Sequence, residues 1–154
     1  MIRLATIEDV DNLVKFRIQL LKETNKNTLN YDWDKYAESL KYYFLDALVN
    51  GKAVAFMAEK KSVIIGISIM CFYDIVPLIF NLEGKMALLT DMYINLEYRN
   101  EGLGTELLKN IMEHTKKLGH PKVILNATDS GRGLYKRFGF KDITGEMSYK
   151  FMEA

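Results

Sequence analysis

A strand that runs through a two-glycine turn straight into an amphipathic helix is the feature that most restricts this chain. Hydrophobic periodicity predicts the strand over 86–94 and the helix over 102–119, with Gly102 and Gly104 at their junction. The first turn of a helix has backbone N–H groups without an internal partner, and its dipole attracts anions. Glycines there let a phosphate approach the backbone without meeting a Cβ. The segment therefore predicts a phosphate-binding loop.

The sequence lacks residues that two common nucleotide-binding loops require. A dinucleotide fingerprint needs a third glycine at position 107, which is Leu107. A Walker-type loop needs Gly-Lys-Ser/Thr, whereas Gly104 is followed by Thr105 and Glu106. The phosphate must belong to another class of ligand.

Charge and composition narrow the partners. The 154 residues carry 21 Lys and Arg against 20 Asp and Glu, a net charge of +1, and a nucleic-acid binder usually has a strong basic excess. We therefore expect no nucleic-acid partner. No apolar run approaches the ~20 residues of a membrane span, and the first residues lack a signal peptide's apolar core. We expect a cytoplasmic protein without a membrane partner.

Cysteine and histidine add no site of their own. Cys71 is the only cysteine, so an intrachain disulfide is excluded, and its apolar strand predicts an inert core residue. Neither His114 nor His120 has the Cys or His spacing of a metal site. We predict no metal.

The rest of the chain alternates helical and strand periods without repeats or linkers, which predicts one domain over 1–154. The predicted order is β-α-α-β-β-β-α-β-α-β-β, an α/β (α+β) class with a mixed sheet. Thr6 is an N-cap candidate, and a polar loop is expected over 25–30. The strand–helix–strand crossover around 102–119 predicts two parallel strands. The strands are expected at 2–5, 53–59, 62–73, 86–94, 123–126 and in a final hairpin over 140–151. The first helix is expected to follow Thr6, and the others to begin near 32, 102 and 134.

Two blocks of sequence resemble the GNAT superfamily of N-acetyltransferases. Residues 99–104, Arg-Asn-Glu-Gly-Leu-Gly, match the family's Arg/Gln-x-x-Gly-x-Gly/Ala signature. Residues 126–140 resemble the family's later strand, helix and closing Leu-Tyr…Gly-Phe block. The resemblance is close from about residue 86 onward and covers the N-terminal half only in element order. It implies an acyl-CoA-dependent N-acyltransferase that uses acetyl-CoA as acyl donor.

The resemblance also implies which residues bind coenzyme A. The glycine loop would hold the pyrophosphate, and the backbone of Met92 and Ile94 would pair with the pantetheine arm. Many relatives have an asparagine seven residues before their tyrosine, where this chain has Thr128, so a hydroxyl of Thr128 or Ser130 would substitute. The full predicted set is Met92, Tyr93, Ile94, Arg99, Asn100, Glu101, Gly102, Leu103, Gly104, Thr105, Thr128 and Ser130.

For the reaction, the resemblance implies direct attack of an amine on the thioester, with Tyr135 as the general acid for the departing thiolate. The other interpretation of Tyr135 is a packed helix residue. The family's base is often a glutamate on the strand at 86–94, which has none here. Of the neighbouring carboxylates Asp91, Glu97 and Asp129, Asp91 is the candidate base, and a solvated or capping carboxylate is the alternative.

The acceptor is expected to contact the N-terminal half. Arg17 interrupts an apolar helical stripe formed by Val10, Leu13, Val14, Ile18 and Leu21, and a half-buried guanidinium needs a partner. We hypothesise that Arg17 binds a carboxylate or polar group of the acceptor. Trp33, Tyr36 and Tyr43 could wall a pocket beside it and stack on a cation. Exposure of Arg17 and packing of the aromatic residues is the alternative.

Two other functions remain open from the sequence. A degenerate GNAT domain could sense acyl-CoA without turnover, and the glycine loop of an interaction protein could be purely structural. The acceptor is a small-molecule or peptide amine of unspecified class. Family members are often dimers, so a homodimer is also left open.

Overall fold

The strand-rich centre of the chain forms a sheet, and helices cover both of its faces. The computed structural model describes residues 1–25 and 30–152. In chain order its strands and helices are β1 (Ile2–Leu4), α1 (Val10–Thr24), α2 (Trp33–Val49), β2 (Ala53–Lys60), β3 (Val63–Asp74), β4 (Lys85–Ile94), α3 (Leu103–Lys117), β5 (Val123–Leu125) and α4 (Arg132–Phe138). Short 3-10 turns lie at Ile7–Asp9 and Leu96–Tyr98.

The sheet has the strand order β1-β2-β3-β4-β5. The first four strands are antiparallel neighbours, and β4 and β5 are parallel. The predicted mixed sheet and the parallel crossover through α3 are thereby confirmed. Because α3 connects two parallel neighbours, its N-terminus lies at the end of β4, where the glycine loop was predicted.

Two apolar clusters hold the helices on the sheet. Helices α1 and α2 pack on one face against residues such as Met57, Ile67 and Tyr93. Helix α3 packs on the other face, where Leu107, Leu108 and Ile111 are fully buried. Burial of apolar surface of this kind is the main favourable term in folding. We call these the α1/α2 face and the α3 face.

Local signals fixed several element ends. Thr6 and Asp9 form the two reciprocal hydrogen bonds of a capping box. Asp32 caps α2 by accepting a hydrogen bond from the Lys35 N–H at 3.0 Å. Lys61 and Ser62 both have positive φ, as the tight hairpin between β2 and β3 requires. The predicted loop over 25–30 falls largely outside the described residues.

The predicted apolar stripe of α1 was incomplete. Val10 and Leu13 are buried as expected, but Phe16 is also buried, with 1% of its surface exposed. Val14 and Ile18 are only partly buried at the edge of the cluster. The face of α1 that packs on the sheet is therefore rotated from the predicted stripe toward Phe16, which was not part of that stripe.

The predicted hairpin over 140–151 is wrong, since residues 140–150 form neither strand nor helix. Alternating side chains at its end, Met147, Tyr149 and Phe151, are each more than 80% exposed. A strand needs a partner edge, and β5 offers only three residues. Residues 140–143 instead line a cavity of about 510 Å³ beside β5. Within the described residues, none of the helices is long and apolar enough to cross a bilayer.

Candidate active site

The loop before α3 has the backbone shape that phosphate binding requires. Asn100 and Gly102 both adopt left-handed conformations, with φ of 66° and 84°. Gly102 is the N-cap of α3, and no side chain hydrogen-bonds to the first turn. A Cβ added at Gly104 would meet only Leu134 Cδ2, at an ordinary 3.5 Å. The N–H groups of this turn are therefore directed toward open space, where an anion can reach them.

Strands β4 and β5 separate immediately beside this loop. Their pairing ends at Leu89 and Leu125, whereas β4 continues to Ile94. Asn95 donates its N–H to Ile65 on β3, so alternation along the strand turns the N–H groups of Met92 and Ile94 away from β3. These two amides point into the opening between β4 and β5, as the predicted pantetheine contacts require. The amide of Tyr93 points toward β3, which leaves Tyr93 without a free backbone donor for that role.

A β-bulge on β4 determines where Asp91 lies. Ile69 pairs with Asp91 and Met70 pairs with Leu89, so Thr90 is the extra residue. A one-residue shift moves the following side chains to the other face of a sheet. Leu89 consequently packs on the α3 face. Asp91 lies on the α1/α2 face, the same face as its pairing partner Ile69. The Thr90 hydroxyl donates to the Ile69 carbonyl at 3.3 Å and helps to hold the bulge.

Asp91 is fully buried in an ion pair with Arg17. Its side chain has no exposed surface, and Oδ1 accepts a hydrogen bond from the Arg17 guanidinium. Arg17 also donates from Nε to the Tyr36 hydroxyl at 3.0 Å. The second carboxylate oxygen, Oδ2, has no hydrogen-bond partner among the described residues. Burial raises the pKa of Asp91 above its usual value, against the opposing effects of Arg17 and Thr90.

Tyr135 lies on α4 and is also largely buried. Burial first, and then the negative charge of Asp91, raise the pKa of Tyr135 to about 12. A Cβ added at Gly131 would lie 3.2 Å from Tyr135 Cε2 and from Thr128 Oγ1. Gly131 thus lets the tyrosine ring lie against the start of α4. Asp91 is 44 positions away in the sequence, and its charge is the smaller of the two causes of the raised pKa of Tyr135.

Arg99 makes two hydrogen bonds within the protein. Its Nε donates to the Ile94 carbonyl at 2.7 Å, and its Nη2 pairs with Glu23 Oε2 at 2.8 Å. Glu23 also accepts a hydrogen bond from the Tyr93 hydroxyl at 2.7 Å. Arg99 therefore ties the end of β4 to α1, its Nη1 takes part in neither bond, and its predicted contact with pyrophosphate stays a prediction.

Three of the remaining predicted coenzyme A residues make polar contacts within the protein. Thr128 and Ser130 lie 3.3 Å apart by their hydroxyls, and Thr128 Oγ1 accepts from the Gly131 N–H at 3.2 Å. Thr128 is thus part of the turn that begins α4. Glu101 pairs with Lys60 at 3.3 Å on the surface. The predicted contacts of Thr128, Ser130 and Glu101 with coenzyme A stay predictions.

The aromatic residues predicted to wall one pocket separate into two groups. Trp33 and Tyr36 line a cavity of about 390 Å³ between the end of α1 and the start of α2. Tyr43 lies apart from it, with its hydroxyl 3.2 Å from the sulfur of Cys71. Arg17 contacts Tyr36 but has Asp91 as its charged partner. The partner that a half-buried guanidinium needs is therefore present within the protein.

The structure separates the three candidate carboxylates. Asp91 is 1% exposed, whereas Glu97 and Asp129 are both exposed to solvent. Within 1–25 and 30–152, no three His, Cys, Asp or Glu side chains converge on a metal site.

Three residues of the site escaped the sequence interpretation. Glu23 seemed an ordinary polar residue of its helix, and Gly131 an ordinary turn glycine. The sequence around Thr90 did contain a signal of the bulge. Strict alternation along the strand would place Asp91 on the same apolar face as Ala87, Leu89 and Tyr93. A shift of face between Leu89 and Asp91 resolves that conflict.

Comparison with known proteins matches this architecture. The model of the acetyltransferase (GNAT) family matches residues 11–140. A predicted acetyltransferase from Clostridium acetobutylicum, crystallised with acetyl-CoA, is 27% identical, with a TM-score of 0.86 over 97% of this chain and 95% of that one. A GCN5-related N-acetyltransferase from Ralstonia eutropha is 20% identical, with a TM-score of 0.87 over 98% of this chain and 97% of that one.

One curated relative matches over a shorter stretch. Glucosamine 6-phosphate N-acetyltransferase 1 of rice (Oryza sativa subsp. japonica) is 29% identical over 68 residues, which span 44% of this chain and 41% of the rice protein. The match thus covers about two fifths of that relative's length. The predicted fold and enzyme class agree with the family match, and the chain belongs to the GNAT acetyltransferase family.

Proposed function

We propose that this protein transfers the acetyl group of acetyl-CoA to a primary amine by direct attack in a ternary complex. The observation that carries the proposal is the opening between β4 and β5 beside the left-handed turn before α3, in a chain of the GNAT family. Asp91 and Tyr135 are the two groups proposed to move protons there. One group has a free, buried carboxylate oxygen, and the other has a hydroxyl whose pKa responds to that carboxylate. Two such groups can move the two protons of an aminolysis.

The donor would occupy the opening between β4 and β5, with its pyrophosphate at the start of α3. The residues present fit such a ligand, because free N–H groups line both places and Gly102 has nothing within 4 Å of an added Cβ. The amide of Met92 or Ile94 would donate a hydrogen bond to the thioester oxygen. An oxyanion donor of this kind is typically worth about 3 kcal/mol.

Asp91 would take the proton of the incoming amine. An amine with a pKa near 10.4 is uncharged in only roughly one of 2,500 molecules at pH 7, so a base is needed. Burial raises the pKa of Asp91, which makes it a stronger base than a solvated aspartate. Arg17 holds Oδ1, and Oδ2 is left to accept the proton directly or through a water molecule.

Tyr135 would protonate the departing thiolate after Asp91 has been neutralised. A pKa of about 12 lies roughly 3.5 units above that of an ordinary thiol, a gap of about 5 kcal/mol. Once Asp91 holds a proton, the charge that helps to raise the Tyr135 pKa is gone, and the gap narrows. Protonation of Asp91 would therefore favour proton donation by Tyr135.

A thiol-release assay with acetyl-CoA across classes of primary amine tests this proposal. We expect release that depends on both substrates, together with a rise in melting temperature when acetyl-CoA alone is added. Stabilisation should be about 2.7 kcal/mol at a ligand concentration 100 times Kd. Stabilisation without thiol release from any amine would favour an acyl-CoA sensor instead. No stabilisation at all would favour an interaction protein with a structural glycine loop.

A further inference from the structure

The cavity between the end of α1 and the start of α2 has the size and composition of a small apolar binding site. Its volume of about 390 Å³ lies at the lower end of the range for small-molecule pockets, roughly 300–1,000 Å³. That space accommodates one ring or a short aliphatic chain. Its described lining residues are Leu21, Asn25, Asn30, Tyr31, Asp32, Trp33 and Tyr36.

Three aromatic rings form a continuous wall of this cavity. Tyr31 and Trp33 meet edge to face with centroids 5.7 Å apart, and Trp33 and Tyr36 do so at 6.2 Å. Edge-to-face contacts between neighbouring rings are favourable and fix their orientation. The wall is therefore formed before any ligand arrives.

The charges around the cavity favour a neutral occupant. Lys22 Nζ already lies 5.0 Å from the centroid of the Trp33 ring, so a second cation on this aromatic wall would meet like charge. Asp32 is the one charged side chain in the described lining, and its carboxylate caps α2. An anionic group would face that carboxylate across a small apolar space.

Tyr36 connects the cavity to the proposed base. Its ring lines the cavity, and its hydroxyl accepts the hydrogen bond from Arg17 Nε at 3.0 Å. Arg17 in turn binds Asp91, so only two side chains separate the cavity from the buried carboxylate. Tyr36 and Arg17 thus link the wall of the cavity to the proposed base by direct hydrogen bonds.

We propose that the acceptor is a primary amine carrying a neutral apolar group, an aromatic ring or a branched or short aliphatic chain, which this cavity binds. The inference rests on the proposed function and specifies its acceptor class. The amine extends past Tyr36 toward Asp91, and the apolar group contacts Trp33 and Leu21. A sugar phosphate, the kind of acceptor in the name of the rice relative, would bring its anionic group toward Asp32.

Intrinsic fluorescence reports occupancy of the cavity without any turnover, because Trp33 is the only tryptophan of the chain. The protein saturated with coenzyme A would be titrated with 2-phenylethylamine, hexylamine and ethanolamine. We expect a saturable change in Trp33 emission with the first two amines and none with ethanolamine at equal concentration. Identical responses to all three amines, or no response to any, would overturn the assignment.

Steady-state kinetics give the second test. Trp33→Ala should raise the KM for 2-phenylethylamine about tenfold or more, since an indole wall of the site is removed. The KM for acetyl-CoA and the kcat/KM for ethanolamine should stay within about twofold. Leu21→Trp, which fills the cavity instead of emptying it, should have the same selective effect. The matched control is Tyr42→Ala, which removes an aromatic ring that is 72% exposed on the same helix.

The results distinguish this inference from the proposed function. Thiol release that is equal for apolar and polar amines, and unaltered in Trp33→Ala, contradicts the inference and leaves the acetyltransferase proposal standing. Thiol release from no amine contradicts the acetyltransferase proposal, and the fluorescence titration then decides alone whether the cavity binds apolar amines.

Discussion

The proposed donor site and the proposed proton relay are built from different kinds of groups. On the α3 side the proposed donor site consists of backbone groups at one turn, and Gly102 at φ 84° has the conformation that such a turn needs. The proposed proton relay consists of side chains from distant segments: Arg17, Tyr36 and Asp91 on the α1/α2 face, and Tyr135, which packs against the cluster on the α3 face. The residues of the donor turn are consecutive in the sequence, whereas folding brings the residues of the relay together from distant segments. Substitutions at the turn should therefore affect donor binding, and substitutions in the relay should affect proton transfer.

The largest expected effect is on kcat, through loss of the proposed proton donor. Tyr135→Phe should lower kcat by about 10²–10⁴-fold, because the hydroxyl that protonates the thiolate is lost, and should change acetyl-CoA affinity little. Steady-state kinetics and calorimetric titration with acetyl-CoA measure the two quantities. Tyr42→Phe, on an exposed tyrosine, is the control. A fall in kcat of less than about threefold would remove Tyr135 as the acid.

The matching change on the donor side is Gly104→Val. A Cβ at position 104 would make only an ordinary van der Waals contact with the rest of the protein, so the fold should persist. Acetyl-CoA affinity should fall at least about tenfold, because the side chain would take up phosphate space. Lys109→Val, on the exposed side of the same helix, controls for loss of helix propensity. Unaltered affinity in a folded Gly104→Val protein would refute the phosphate assignment.

A smaller effect distinguishes the two roles considered for Arg17. In the structure its guanidinium opposes the upward pKa shift of Asp91, so Arg17→Met should raise that pKa further. Because the base must be ionised, the acidic limb of the pH–rate profile should then move to higher pH. Thermal unfolding at the same pH checks the fold. A rise in acceptor KM alone, with an unmoved limb, would restore the hypothesis that Arg17 binds the acceptor.

The smallest effect is expected at Cys71. Its sulfur contacts the Tyr43 hydroxyl at 3.2 Å on the α1/α2 face, and the proposed direct attack does not use it. Cys71→Ala should keep kcat and both KM values within about twofold, at a stability loss of about 1 kcal/mol. A folded but inactive Cys71→Ala protein would instead indicate an acyl-cysteine intermediate.

The same contrast explains what could be predicted from the sequence. The mixed sheet, the α3 crossover and the glycine turn follow from local periods and from turn residues, and the structure has them. The final hairpin failed because alternation at Met147, Tyr149 and Phe151 predicts a strand without saying whether an edge is available. The partner of Arg17 could not be read, because Asp91 is 74 residues away and reaches the α1/α2 face only through the bulge at Thr90.

The pH dependence of the ratio of kcat/KM between the wild-type protein and Asp91→Asn tests the central claim, that Asp91 accepts the amine proton. Ionisation of the amine affects both proteins equally and cancels in the ratio. Because only ionised Asp91 accepts a proton and burial raises its pKa, the ratio should rise with pH through a value above the usual aspartate range. It should reach a plateau of about 10²–10⁴. A ratio that stays within about threefold of one at every pH, with Asp91→Asn folded, would contradict the account.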